Sequence, residues 1–590
     1  MLRHLLLLLT LTTPLVAQEN LFRQVPKPTH KNDKSEVQVD AMFSMAAPTG
    51  YLPVRVTVVN QRASDIELSF AASSTSGGYD DDSRVNSDFE IATTKESSST
   101  HDLLVPLTTV LENARHGNGS LVNLSMSGSF GRNSGGVSSN YADGVAAVMM
   151  SEKLHTPNAS ILDSELGKSI SGYGSPSFAG RFDPAIMPED WRAYSGYDAF
   201  LMTDEDWALV APGARNAMLQ WCRLGGKLAI YKINGSTSFK TLGIEGEATG
   251  DQMDFGYGQV ELQPIPNTLS LDPASTVASY RGKLSAPLLN RSIRDDYSGR
   301  WPLHSSFGRQ KFAYGIFVVV LIAFGILVGP VNLFVFAKSG IRHKLFITTP
   351  IISIGTCAVL ILLILLKDGI GGRGERIALI EVRPDAGENN AYVMQEQVSR
   401  TGVLLGASFD IGESAAITPV PISPSPWTRL PSGSGGGGMR YTMNQRDGKL
   451  AVTGDWFQSR SEQGQLVRAV VPTRGRIELK SQGGTPVLLS TYEFPVASLY
   501  YADASGGYWV ARDLKPGTNT SCTSISQTEY NQAITDQVAR LGNRHGQLLA
   551  KAAKRSDHYV AIAAEAPAIE TFDSINWSAT SSIITGPVLR

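Results

Sequence analysis

Apolar residues occur along this chain in three patterns, and each pattern predicts a different kind of segment. The first is a short leucine-rich run at the start: Leu5 to Leu9 follow Arg3, and the small residue Ala17 ends the apolar stretch. A basic start, a short apolar run and a small residue are typical of a cleavable secretory signal. We therefore predict a signal peptide over residues 1–17 and export of the segment that follows it.

The second pattern consists of two long runs without ionisable side chains, residues 312–337 and 345–366. At 1.5 Å per helical residue, each run is long enough to cross a hydrocarbon core of about 30 Å. The segment between them, 338–344, includes three Lys or Arg residues and so favours the cytoplasmic side. These runs predict a two-helix transmembrane hairpin in the lipid bilayer, with a cytoplasmic loop and both large regions outside the cytoplasm.

Two residues in the first membrane run differ from their apolar neighbours. Pro330 cannot donate a backbone hydrogen bond, and it predicts a kink in the helix. Asn332 places a polar amide at membrane depth. It could join a proton or ion path, but a hydrogen bond to the neighbouring helix is the favoured interpretation.

The third pattern is an alternation of apolar and polar positions within residues 35–138. Val54, Val56 and Val58 are a clear example, and turn residues separate this run from the next. A period of two with turns between the runs is typical of half-buried antiparallel strands. We therefore predict an exported β-sandwich over residues 35–138.

Continuous apolar runs replace the alternation in residues 140–265. The runs at 145–150 and 198–202 are typical of strands buried on both faces of a parallel sheet. An amphipathic helix over 212–224 ends at a Gly-Gly pair, and a further strand follows at 227–231. Strand, helix and strand in this order predict a small α/β domain.

The stretch YDAFLMTDEDWALVAPGARNAMLQWCRLGGKLAIY, residues 197–231, resembles the class I glutamine-amidotransferase-like α/β module of uncharacterised bacterial envelope proteins. In those proteins a β-sandwich and this module precede transmembrane helices, and the GPVN motif and basic hairpin loop here are similar to theirs. The resemblance covers residues 40–380, with 266–311 as the linker to the membrane, and implies a flavodoxin-like domain. A catalytic member would carry a cysteine at a tight strand-to-helix elbow. Cys222 lies at a helix end instead, so the resemblance implies a degenerate, non-catalytic module.

Beyond the hairpin, residues 377–590 predict a second exported region that is rich in β-strands. The segment 496–511 contains two strand candidates joined by a Ser-Gly-Gly turn, which predicts a hairpin. Ser526 and Glu529 form a capping box that predicts a helix through about Lys554. The sequence leaves open whether this region is a second sandwich or a mixed α+β fold.

Composition and charge narrow the class of protein. The 52 Lys and Arg residues balance 54 Asp and Glu residues, which excludes a chain-wide attraction to nucleic acid. Three cysteines without a CxxC spacing, and histidines without a second histidine four residues on, lead us to expect neither a metal nor a cofactor. Large exported domains with so few cysteines favour a bacterial envelope, so we expect the inner membrane.

Two acidic groups are candidate ligand sites. Asp204, Glu205 and Asp206 follow the carboxyl end of a predicted strand, where open α/β sheets place their ligand crevices. A simple cluster of charges at a helix N-terminus is the alternative, and it is favoured. Asp80 to Asp82, with Asp88 and Glu90 after them, are oxygen ligands of the kind calcium prefers. They lack the spacing of an EF-hand loop, so a solvated loop is favoured.

We found no nucleophile elbow, metal-binding pair or phosphate-binding loop in this sequence. The leading hypothesis is therefore a membrane-anchored extracytoplasmic scaffold or transport-accessory protein. It would act by binding ligands or a protein partner in the membrane or envelope, without catalysis. The alternative is an α/β hydrolase or amidase that acts on an envelope substrate.

Overall fold

The computed structural model describes a chain that is mostly β-sheet and has several sheets. The residues described are 19–25, 33–77, 83–109, 119–142, 144–168, 176–246, 248–281, 301–308, 314–337, 339–384, 389–412, 414–420, 439–446, 448–480, 484–564, 566 and 568–590. The predicted signal peptide and Asp80 to Asp82 lie outside these residues.

The N-terminal region forms two antiparallel layers from the strands that alternation predicts. The described strands are β1 (Glu19–Gln24), β2 (Glu36–Ala41), β3 (Tyr51–Asn60), β4 (Ile66–Gly77), β5 (Arg84–Thr93), β6 (Ser97–Pro106), β7 (Gly119–Gly128) and β8 (Asn133–Asn140). One sheet has the order β1-β2-β3-β6, and β5, β4, β7 and β8 lie side by side in the other. Val56, Leu68 and Val122, from both sheets, are buried in one hydrophobic core. The alternation therefore marks the inward face of each strand.

A mixed sheet with helices follows. Its strands and helices are β9 (Val148–Ser151), α1 (Glu152–Lys168), β10 (Ala179–Phe182), β11 (Ala199–Thr203), α2 (Asp204–Leu209), α3 (Pro212–Arg223), β12 (Lys227–Lys232), β13 (Ala248–Thr249), β14 (Gln252–Phe255), β15 (Gly258–Pro264) and α4 (Pro273–Ser279). The sheet order is β10-β9-β11-β12-β15-β14-β13, in which the first five strands are parallel and β14 and β13 are antiparallel. The strand–helix–strand unit predicted from the sequence is β11, α3 and β12.

The membrane segment contains two helices that are long and apolar enough to cross a bilayer, judged by length and composition alone. A short helix α5 (Pro302–Phe307) precedes α6 (Tyr314–Ile326), which continues as a π-helix over Leu327–Phe336, and α7 (Leu345–Asp368) returns. Pro330 lies inside the π-helix, where the Ala337 N–H donates to the Asn332 carbonyl five residues earlier. A wider helical turn of this kind is a recognised cause of a helix distortion at proline.

The C-terminal region is a large sheet with two helices against it. The described strands and helices are β16 (Gly372–Arg383), β17 (Asn390–Thr401), β18 (Phe409–Ile411), β19 (Ala415–Val420), β20 (Arg440–Arg446), β21 (Lys449–Gly454), β22 (Glu462–Pro472), β23 (Ile477–Leu479), β24 (Val487–Ser490), β25 (Val496–Ala502), β26 (Tyr508–Leu514), β27 (Asn519–Ser521), β28 (Thr523–Ile525), α8 (Gln527–Val538), α9 (Asn543–Ala552), β29 (His558–Ala563) and β30 (Ile575–Leu589). Its main path is β19-β22-β17-β16-β30-β29-β25-β26-β28.

The helix predicted from the capping box is correct at its start but is interrupted before Lys554. Ser526 and Glu529 form the capping box of α8 as predicted. The chain then leaves the helical path, and Gly542 opens α9 as its N-terminal cap. The Gly542 N–H donates to the buried Glu396 carboxylate at 2.9 and 3.1 Å, so a tertiary contact stabilises the break.

Strands from the two ends of the chain share one sheet. β18, β21 and β20 extend the second N-terminal sheet, giving the order β18-β21-β20-β5-β4-β7-β8. β20 pairs with β5 in parallel, and the Asp88 N–H donates to Asn444 Oδ1 at 3.0 Å. The regions before and after the membrane hairpin are therefore joined by backbone pairing.

Candidate functional sites

Asp204 lies directly after β11, at the first position of α2, and hydrogen bonds from its own chain surround its carboxylate. Oδ1 accepts from the backbone N–H groups of Glu205 and Ile233, both at 3.1 Å. Oδ2 accepts from the Asn234 N–H at 3.2 Å and from Thr237 Oγ1 at 2.6 Å. Burial would raise the pKa of Asp204, but these four hydrogen bonds hold it below its usual value. The carboxylate thus attaches the loop after β12 to the start of α2.

The other two carboxylates of this group also contact protein. Asp206 is buried and completes the capping box of α2, because its carboxylate accepts from the Thr203 backbone N–H at 3.0 Å. The same oxygen accepts from Thr203 Oγ1 at 2.8 Å and from Ser151 Oγ at 2.6 Å. Glu205 is half-exposed and forms an ion pair with Lys153. The structure brings the three residues together at the strand end, where each stabilises the start of a helix or its neighbours. Their role in ligand binding stays a prediction.

The two cysteines outside the apolar helices, Cys222 and Cys522, are unsuited to nucleophilic chemistry. Cys222 lies on α3 with no exposed surface, and burial raises the pKa of its thiol well above the usual value. Cys522 is also buried, which raises its pKa to about 11. Both are free thiols, as is Cys357 in α7. Because the thiolate is the reactive form, a thiol with a strongly raised pKa is a poor nucleophile.

Asn332 connects the two candidate membrane helices. Its side chain is fully buried, donates to Thr349 Oγ1 at 2.9 Å and accepts from Thr348 Oγ1 at 2.6 Å. Both threonines belong to α7. Polar side chains that hydrogen-bond across membrane helices hold them together by about 0.6–2 kcal/mol per contact. The interpretation of Asn332 as an interhelical contact therefore has a direct geometric basis.

The short helix α5, just before the first membrane helix, is attached to the C-terminal sheet through buried Glu396. Trp301, at the N-terminal cap of α5, donates from Nε1 to the Glu396 carboxylate at 2.6 Å. His545 Nδ1 lies 2.7 Å from the same carboxylate. Glu396 has no exposed surface, so this contact links α5, β17 and α9 inside the protein.

A second buried carboxylate, Glu462, holds the other end of α5. His304 Nε2 lies 3.1 Å from Glu462 Oε2, and Arg400 Nε donates to Oε1 at 2.7 Å. Arg400 also donates to the Gly308 carbonyl at 2.7 Å. Burial would raise the pKa of Glu462, but its contacts with His304 and Arg400 hold it below its usual value. The approach to the first membrane helix is thus attached to the C-terminal sheet at two points.

A third buried carboxylate, that of Glu381, lies where the mixed sheet meets the C-terminal sheet. Glu381 on β16 has no exposed surface, and Arg555 Nη1 lies 3.1 Å from each of its oxygens. The same guanidinium donates to the carbonyl of Gly256, in the turn between β14 and β15. Beside it, Tyr257 Oη and Thr585 Oγ1 are hydrogen-bonded at 2.8 Å. The hydrogen bonds that cross between the two sheets are therefore those of Arg555 with Gly256 and of Tyr257 with Thr585, and the buried Glu381 carboxylate holds Arg555 in place for the first of them.

Sequence reasoning missed these junction residues. Glu381, Glu396 and Glu462 each lie within a strand, where an isolated charged position is usually solvent-facing. Their partners come from segments up to 174 residues away, as for Glu381 and Arg555. No local spacing signals such a pair. In the part of the chain that the structure describes, no group of three His, Cys, Asp or Glu residues could hold a metal ion.

Comparisons with known proteins give no family for this chain. No protein-family model matches it, and no curated protein matches it. Among solved structures, a cycloisomaltooligosaccharide glucanotransferase from Paenibacillus sp. is 9% identical over 37% of this chain and 32% of that one, with a TM-score of 0.18. Beta-glucuronidase 2 from Bacteroides uniformis is 9% identical over 37% of this chain and 26% of that one, with a TM-score of 0.15. The match therefore spans about a third or less of those chains. Similarity this low carries no argument about fold or function.

Proposed function

We propose that this chain is a membrane-anchored scaffold or transport-accessory protein of the bacterial inner membrane that acts by binding and not by catalysis. The observation that carries the proposal is the union of both large regions into one body beside the membrane hairpin. β5 and β20 pair across the two regions, and the hydrogen bonds of Arg555 with the Gly256 carbonyl and of Tyr257 with Thr585 join them again. A large body attached to a short hairpin is suited to holding partners at a membrane surface.

The same contacts support a topology in which both regions lie on one side of the membrane. Two segments that share backbone hydrogen bonds cannot lie on opposite sides of a bilayer. An even number of spans between them agrees with this requirement. The signal sequence predicted for residues 1–17 and the basic loop 338–344 make the extracytoplasmic side the preferred one.

The resemblance of residues 197–231 to a degenerate amidotransferase-like module agrees with a binding role. The alternative, a hydrolase or amidase in this module, stays a prediction for which the site geometry offers no support. Cys222 is buried, and the carboxylates of Asp204 and Asp206 are occupied by structural hydrogen bonds.

Topology is tested by labelling single engineered cysteines with a membrane-impermeant maleimide in spheroplasts. Cys222 and Cys522 are buried, and the exposed Cys357 in α7 is replaced by alanine in the background chain, so that only the engineered cysteine can react. We expect Ala63→Cys and Ala504→Cys, at exposed positions in the two large regions, to be labelled in intact spheroplasts. Ser339→Cys, in the loop between the membrane helices, should be labelled only after permeabilisation. The reverse pattern would contradict the proposed orientation.

Partner binding is tested by cross-linking native membranes, isolating the chain through a C-terminal tag and identifying what accompanies it by mass spectrometry. A reproducible partner in stoichiometric amount is the expected result. An unrelated two-span membrane protein with the same tag is the control. Recovery of a solitary monomer after cross-linking would contradict the scaffold and accessory roles.

A further inference from the structure

A polar cleft of about 840 Å³ lies on the outer face of the sheet that the two ends of the chain share. Its floor consists of small side chains on β4, β7 and β8: Ser69, Ala71, Ser125, Ser127 and Ser134. These residues lie side by side across the strands, since Ser69 pairs with Ser127 and Ala71 with Ser125. Small residues at neighbouring outward positions leave a trough between the larger side chains on either side.

Charged side chains form the two walls of this trough. Asp88 and Glu90 on β5 lie on one side together with Arg446 from β20. Arg132 lies on the other side, after the turn that joins β7 to β8. Gly131 in that turn has a φ of +90°, a conformation that other residues rarely adopt. The C-terminal strand β20 contributes Arg446 to the wall that β5 forms, so both ends of the chain line the cleft.

The charges in the cleft differ from those on the first sheet of the same sandwich. There, Arg55 on β3 forms two hydrogen bonds, of 2.7 and 2.8 Å, with Asp102 on β6. In the cleft, the side chains of Asp88, Glu90, Arg132 and Arg446 form no ion pair or hydrogen bond with any part of the chain that the structure describes. Two carboxylates and two guanidinium groups therefore offer unused acceptors and donors to the same trough.

The chemistry of the cleft restricts its ligand. Backbone groups of β4 are paired with β5 on one side and β7 on the other, so the floor cannot accept an added peptide strand. Two acidic and two basic groups balance, which favours a neutral ligand over an anion or a cation. Carboxylates accept hydrogen bonds, guanidinium groups donate them, and serine hydroxyls do both. A ligand with many hydroxyl groups can hydrogen-bond to all three kinds of side chain, because each of its hydroxyls is both donor and acceptor.

From this arrangement we infer that the cleft binds a neutral oligosaccharide. The inference goes beyond the proposed scaffold role, since binding in the cleft needs no partner protein. The scaffold role and oligosaccharide binding in the cleft can therefore be tested separately, and a negative result for one does not contradict the other.

The test is isothermal titration of the full chain in lipid nanodiscs with cellohexaose, chitohexaose and maltohexaose. We expect at least one of these to bind with a stoichiometry of one. Ser69→Trp fills the floor of the trough and should abolish that binding. Ser138→Trp introduces the same bulk on β8, on the exposed sheet surface outside the cleft, and should leave binding unchanged. Asp88→Ala should weaken binding about tenfold, the effect of losing one hydrogen bond to a charged group.

Three results would overturn the inference. One is the absence of binding by all three oligosaccharides, and another is binding that Ser69→Trp and Ser138→Trp affect equally. The third is binding of pentaglycine, tested as a neutral peptide, in place of the sugars. Thermal unfolding of each variant should stay within about 2 °C of the natural chain, because all three positions are exposed.

Discussion

Carboxylates in two regions of this molecule have opposite surroundings. Asp204 and Glu381 are buried at a strand end and a domain junction, and their own chain supplies every hydrogen bond described for them. Asp88 and Glu90 are exposed beside an open trough and have no such partners within the described chain. All four lie in or next to strands. The comparison teaches that an acidic residue near a sheet indicates ligand chemistry only when the fold leaves its oxygens unoccupied.

The largest effect is expected where the buried Glu381–Arg555 ion pair, beside the contact between the two sheets, is broken. Glu381→Ala leaves the Arg555 guanidinium, whose side chain is 9% exposed, without its counter-charge. Removing one partner of a buried ion pair costs about 3–5 kcal/mol. We expect that loss in the free energy of unfolding, measured by tryptophan fluorescence in urea. Glu570→Ala is the control, because that carboxylate is 67% exposed, and it should cost less than about 1 kcal/mol. If the two variants lost the same unfolding free energy, burial of the Glu381 carboxylate would not account for its contribution to stability.

A smaller loss is expected at the strand end. Asp204→Ala removes the acceptor of four part-buried hydrogen bonds, which should cost about 2–3 kcal/mol of unfolding free energy. Glu205→Ala, at the next position, should change stability by less than about 0.5 kcal/mol, since its side chain is 50% exposed. If the two variants behaved alike, Asp204 would not have the structural role assigned to it.

The ionisation of Asp204 should also make the free energy of unfolding depend on pH. The pKa of Asp204 is lowered in the folded state relative to the unfolded value of 3.8, so its ionised form stabilises the fold. That contribution is complete above the unfolded pKa and is lost as pH falls through the folded pKa. The difference in unfolding free energy between the natural chain and Asp204→Asn should therefore be constant above about pH 5 and shrink below about pH 4. A difference that grew on acidification would contradict this account.

The smallest effect on stability is expected in the cleft. Asp88→Ala and Glu90→Ala should each change the unfolding free energy by less than about 0.5 kcal/mol, because exposed, unpaired side chains contribute little. Urea unfolding under the same conditions as for Glu381→Ala makes the comparison direct. A loss above about 1 kcal/mol would mean that these residues hold the sandwich together and are not free for a ligand.

Much of the local structure follows from patterns in the sequence. Val54, Val56 and Val58 alternate and lie on the inner face of β3, as predicted. The Ser526–Glu529 capping box opens a helix at the expected position. Such features depend on residues close together in the chain, so their physical causes are visible in a short window. The end of that helix was predicted wrongly, because its cause is a contact between Gly542 and the distant Glu396.

By itself, the sequence determined the class of each segment: two apolar spans, alternating strands and a strand–helix–strand unit, each set by the spacing of apolar side chains. The tertiary structure decided which segments meet. It placed β20 beside β5, paired Glu381 with Arg555, and occupied the oxygens of Asp204 while leaving those of Asp88 free. The physical reason is that the surroundings of a polar group depend on which distant segments pack against it. Hydrophobic periodicity carries no information about that choice.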